Sequence, residues 1–203
     1  MLARVGGLFG SASADPRAGI LALTSGLDTS ATIGQRSDST ASTVLYAVTE
    51  SIVQQWRISE STGEQYLSES DVSEGISRKV LEVSRKDGFE TDSIQHVILD
   101  AKAQSSTRLI LLVSYVDEGS SNAALTLGNS SRRIEQSYAL VTVDSGEVVA
   151  LKRLAYKQQS DPRPLSTPRL AVPQDGPAIF VIFPDVVLIA TTEPGGRSAH
   201  CAP

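Results

Sequence analysis

Apolar and polar residues alternate with a period of two through most of this chain, and the period changes to 3.6 once. Val44–Val48 and Ile52–Ile58 flank Thr49-Glu50-Ser51 and predict a hairpin. In its second strand Ile52, Gln54, Trp56 and Ile58 share one face, with Val53, Gln55 and Arg57 on the other. Further strands are predicted over residues 94–99, 109–116, 134–143 and 147–156. The second of these is apolar and β-branched and so belongs at the centre of a sheet. Asp144-Ser145-Gly146 is a hairpin turn, with Gly placed for a positive φ. Residues 169–172, 178–183 and 186–191 read as three more strands, the last pair turned by Pro184-Asp185. Between Ser68 and Lys86 the stripe Val72, Ile76, Val80 and Val83, widened by Leu81, predicts a helix inserted between strands. Asp71 or Ser70 caps it, Glu74 lies in its first turn, and Gly88 stops it.

This succession predicts a mainly β fold. Its sheets are antiparallel four-stranded blades of a partial β-propeller, about two to three of them, with one inserted helix. Residues 94–156 form one such blade, the pair at 44–58 precedes it, and the strands at 169–191 follow. Trp56 reads as a blade-core aromatic. A β-sandwich is the structural alternative, because no strong repeat motif is present.

The chain opens differently. Wound as a helix, Met1, Leu2, Val5, Leu8 and Phe9 fall on one narrow face, opposite Ala3, Gly6, Gly7, Gly10 and a single charge, Arg4. So short and Gly-rich a helix is marginal alone and needs an apolar partner, either a protein groove or a lipid surface. Ile20, Leu23 and Leu27 at i, i+3 and i+7, with Leu21 beside them, have similar character. Thr24, Ser25, Thr29 and Ser30 supply most of their polar side, and Asp28 its one charge. Pro16 separates the two runs. Low charge with bulky apolar faces describes a helix that binds membrane through packing defects rather than anionic headgroups. Each fully buried large apolar side chain contributes roughly 1.5–3 kcal/mol. Ordering the backbone costs roughly 1–2 kcal/mol per residue. The balance near zero suits a curvature sensor. The alternative is a disordered tail or a loop docked on the domain. Residues 1–42 are accordingly expected to be a mobile segment with a membrane-sensing stretch, 43–193 the partial propeller, and 194–203 a disordered tail.

Composition narrows the function. The 203 residues permit one sizeable domain, and 40% hydrophobic residues suffice for a core. A net charge of −5 disfavours generic nucleic-acid binding. No window approaches about 18 continuous apolar residues, so no transmembrane span is expected. The N-terminus does not read as a secretory signal. One cysteine, Cys201, excludes an internal disulfide and fits a reducing compartment. With only His96 and His200 beside it, no zinc site of ordinary spacing is available. No nucleophile elbow, phosphate-binding loop, H-E-x-x-H or C-x-x-C occurs. His96 reads as structural, Asp117-Glu118 as a solvated loop end, and His200-Cys201 as part of a tail with no scaffold. No enzyme activity, cofactor, metal or small-molecule substrate is expected.

The order of features is specific. A weakly charged M-L-x-R-V-x-x-L-F-G segment and a Ser/Thr-rich stretch come first. They are followed by V-L-Y-A-V-T-E-S-I-V-Q-Q-W-R-I-S and by the acidic-starting helix E-S-D-V-S-E-G-I-S-R-K-V. This order resembles the N-terminal β-propeller of the nucleoporin-133 family, in the outer-ring Y-shaped complex of the nuclear pore. The resemblance implies an amphipathic lipid-packing sensor, with Leu2, Val5, Leu8 and Phe9 facing lipid and Ile20, Leu23 and Leu27 as a possible second membrane segment. It implies other outer-ring nucleoporins and curved nuclear-envelope membrane as partners, and a role supporting transport of protein and mRNA. Family propellers have seven blades and a following α-helical stack, so the chain is expected to be a fragment or truncated product. The competing reading is a soluble propeller or sandwich interaction module whose Leu8 and Phe9 dock on protein. A third, a small hydrolase using an unrecognised Ser or Asp, has little support.

Overall fold

The computed structural model describes residues 19–27, 42–86, 94–117, 135–159, 167–173 and 178–191. Four strands, β1 (Ala22–Leu27), β2 (Ser42–Val48), β3 (Ile52–Ser59) and β4 (Gly63–Asp71), form the first sheet in chain order. Helix α1 (Ser73–Lys86) follows. The second sheet is β5 (Ile94–Ala103), β6 (Arg108–Asp117), β7 (Glu135–Asp144) and β8 (Glu147–Gln159), again in order. The third is β9 (Arg169–Ala171), β10 (Ala178–Ile182) and β11 (Val187–Thr191). Every neighbouring pair is antiparallel.

The turns follow from local chemistry. The Ile52 N–H donates to Thr49 Oγ1 at 3.1 Å, and the Thr49 N–H to the Ile52 carbonyl at 2.9 Å, closing β2 onto β3. Ser145 and Gly146 both have positive φ, +50° and +86°. This is the twist a two-residue hairpin needs, and the glycine adopts it without steric cost. Asp71 Oδ1 accepts from the Ser73 N–H at 2.9 Å and caps α1.

The sheets stack face to face. Val44, Tyr46, Val48 and Val53 of the first sheet pack on Leu109, Leu111, Val113 and Val141 of the second, and Val72, just before α1, closes this core with Ile76 and Val80 of α1. The opposite face of the second sheet, with Ile110, Leu112, Leu140 and Leu154, packs on Leu170, Ile179, Val181 and Leu188 of the third. The middle sheet is therefore covered on both faces, which is why β6 is apolar at consecutive positions from Leu109 to Val113 instead of alternating. The first strands of successive sheets lie together, β1 against β5 and β5 against β9. Helix α1 packs on β5 and on β8, at the far side of the second sheet.

The structure alters three sequence expectations. First, residues 22–27 are a strand, not a helix: β1 pairs along its length with β2, from Ala22 opposite Val48 to Leu27 opposite Thr43. The i, i+3, i+7 spacing of Ile20, Leu23 and Leu27 misleads because residues four apart share a face in either geometry. The first sheet thus starts at Ala22, ahead of the boundary expected at residue 43. Second, β4 is an additional strand, exposed along most of its length, in a stretch without alternation. Third, Trp56 lies outside both buried clusters, on the face of the first sheet turned away from the second. Its ring packs edge-on against Tyr66, 5.1 Å between centroids. Gly88 falls outside the described residues.

Candidate interaction surfaces

Polar joints hold the stack together where the sheets converge. The Tyr46 hydroxyl donates to the Ser106 carbonyl at 2.7 Å, and Gln55 Nε2 donates to the same carbonyl at 2.8 Å. Burial, with a smaller contribution from the Asp144 charge, pushes Tyr46 up to about 12, so it stays a donor at neutral pH. The Ala103 N–H donates to Thr24 Oγ1 at 3.1 Å. Gly26 lies so close to the Ser105 carbonyl that a Cβ would collide with backbone there. At the second joint Asp100, buried, accepts from the Ala101 N–H and the Leu170 N–H, each at 2.8 Å. A register shift between Ile98 and Asp100 aims this carboxylate at β9.

A ring cluster lies between the second and third sheets. Phe183 sits 5.0 Å from Tyr138 and 4.1 Å from Tyr156, and Tyr156 donates its hydroxyl to Asp185 Oδ1 at 2.9 Å. Burial, then the Asp185 hydrogen bond and charge, raise Tyr156 to about 12. These rings are packed on one another.

His96 on β5 is half-buried, its Nδ1 3.3 Å from Ser77 Oγ of α1, and burial lowers its pKa. No acidic group is shown orienting this pair as a catalytic base would require. Among the described residues no group of three His, Cys, Asp or Glu could hold a metal ion. Nor is any described helix long and apolar enough to cross a membrane.

Leu2, Val5, Leu8 and Phe9 lie outside the described residues, as do His200, Cys201 and Glu118. Ile20 and Leu23 are exposed at 46% and 51%, but β1 commits the segment to the first sheet. A lipid-bound helix there would break the β1–β2 ladder and uncover the joint to β5.

Sequence reasoning missed two apolar faces at opposite ends of the stack. Cross-strand pairing places Leu23, Leu45, Trp56 and Tyr66 together on the outer face of the first sheet, with Ile58 nearby. Ile58 and Tyr66 are well exposed. Pairing likewise places Phe180, Ile182, Val187 and Ile189 on the outer face of the third, where the last three are well exposed. The available signal is that β2 and β10 are apolar at consecutive positions, STVLYAV and AIFVI, as in strands covered on both sides.

Antiparallel sheets stacked face to face, converging at their first strands and with a helix packed at the far edge, define a section of a β-propeller. The sequence matches the nucleoporin family described as Nup133 N terminal like over residues 8–201, and the chain belongs to that family. The β-propeller domain of Vanderwaltozyma polyspora Nup133 has the same fold, with a TM-score of 0.62 at 16% identity. The match covers 96% of this chain and 50% of that one, so the chain spans about half the length of the solved propeller. No curated protein matches the sequence. The expectation of a partial propeller, not a sandwich, is met.

Proposed function

We propose that the chain forms part of a scaffold propeller of the nuclear pore's outer ring, binding other nucleoporins and supporting transport of protein and mRNA across the nuclear envelope. The observation that carries this reading is the family match over residues 8–201, laid on a stack of propeller blades. The stack supplies rigid surfaces, and none of the described polar clusters is arranged as a catalytic site. In this reading Leu2, Val5, Leu8 and Phe9 insert into packing defects of curved nuclear-envelope membrane. Arg4, on the opposite face, is the one charge of the first ten residues, so the driving force is apolar burial and is insensitive to salt.

Proximity labelling from a tag on the endogenous gene product tests the scaffold role. Enrichment of other nucleoporins at the nuclear rim is expected. Labelling confined to cytosolic proteins would overturn it.

A further inference from the structure

Each sheet has one strand at the rim, farthest from the convergence at β1, β5 and β9, and the three rims are finished differently. A strand edge carries a row of unpaired N–H and C=O groups, which proteins protect by cover, shortness, Pro or Lys. β8 has α1 packed on it and carries Lys152, Arg153 and Lys157. β11 is only five residues long. β4 runs for nine residues, contains no Pro, Lys or Arg, and among the described residues pairs with β3 alone. All of its residues except Leu67 and Ser70 are exposed. Its free edge lies in the plane of the sheet, so further sheets stacked on either face add nothing to it.

We infer that β4 takes an extended, basic segment of another protein as a fifth strand, paired through the main chain. Charge selects this partner. Between Arg57 and Arg78 stand Glu60, Glu64, Glu69, Asp71 and Glu74 and no Lys or Arg, so the excess acid of a chain of net charge −5 is gathered along this rim. A second copy is disfavoured, because β4 beside β4 sets carboxylates against carboxylates. Nucleic acid is repelled on the same ground. The register adds a pattern. Glu64, Glu69 and Asp71 stand opposite Ile58, Gln54 and Ile52, which share one side of β3, so all three fall on one side of β4. A fifth strand with Lys or Arg at every second position turns its cations to that side. Its other residues then meet the uncharged Gln65, Ser68 and Ser70. Main-chain bonds supply the affinity, and the alternation of charge supplies the selectivity.

Fluorescence anisotropy tests the inference, with the 203-residue chain titrated into a labelled peptide that alternates Lys with Val and matches the nine residues of β4 in length. The same peptide N-methylated at every residue keeps the charge but cannot pair through its main chain. The expected result is binding of the first peptide that weakens as salt rises, with the methylated peptide weaker by about tenfold or more. Hydrogen exchange should slow at amides within residues 63–71 and not in β8. Glu64→Lys combined with Glu69→Lys should lower the affinity by about tenfold or more. Both sites are exposed, so the circular dichroism spectrum should not change. If the double variant fails to fold, Glu64→Gln serves, with a loss of about two- to threefold. No binding of the unmethylated peptide would overturn the inference. So would equal binding of both peptides, protection that falls outside β4, or an affinity indifferent to these substitutions.

Discussion

The buried carboxylate of Asp100, on the first strand of the second sheet, accepts the backbone N–H of Leu170, on the first strand of the third, at 2.8 Å. Its other oxygen takes the Ala101 N–H at the same distance, so one side chain satisfies two amides at the point where two sheets converge. Asp100→Ala leaves both without this acceptor and is expected to cost about 2–4 kcal/mol, since each unpaired buried amide costs about 1–3 kcal/mol. Urea titration measures the loss. Hydrogen exchange at the Leu170 amide should accelerate more than exchange within β6.

Gly26 makes a similar joint by having no side chain. A Cβ there meets the Ser105 carbonyl, which is backbone and cannot rotate away. Gly26→Ala should therefore force β1 from the β5–β6 turn and destabilise the chain by about 1–3 kcal/mol. An unchanged melting temperature would contradict the close approach.

Tyr46 gives the alkaline limb of stability. Its folded value of about 12 stands above the ordinary 10.0 because burial, and then the Asp144 charge, disfavour the phenolate. Between those values the unfolded chain gives up a proton that the folded chain keeps. The Tyr46 contribution to stability is therefore constant below pH 10 and falls as pH rises towards 12. Tyr46→Phe should flatten part of that limb while losing the hydrogen bond to Ser106, at about 0.5–1.5 kcal/mol at neutral pH. Tyr156, also raised to about 12, accounts for part of the remainder.

His96 acts at the acid end. Burial lowers its pKa below 6.5, so the unfolded chain binds a proton first as pH falls. Stability from this residue is present above pH 6.5 and is lost below it. His96→Gln should reduce the slope of stability against pH below 6.5, read by thermal melts between neutral and mildly acidic pH. An identical slope in the variant would remove His96 from the account.

Much of this fold was legible because each sheet repeats the same local rules. The turn at Ser145-Gly146, the cap at Asp71 and the stripe Val72, Ile76, Val80 all stand where residue chemistry places them. Three features were not legible, for separable reasons. The strand Gly63–Asp71 is a sheet edge with little to bury, so its sequence need not alternate. Leu23 and Leu27 fit one face of a helix or of a strand, and only pairing with β2 decides between them. The joints at Asp100 and Gly26 depend on which sheets stack and where a strand is bulged, which no local pattern encodes. Trp56 was assigned to the core by its size. It lies instead on the face of the first sheet turned away from the second, paired with Leu45 and Tyr66.

The most direct test of the membrane claim that completes the scaffold reading is flotation of the full chain with neutral liposomes of small and large diameter. The account predicts binding to small liposomes, little to large ones, indifference to moderate salt, and loss of binding in Phe9→Asp. Equal binding to both sizes, or binding that disappears in moderate salt, would contradict it.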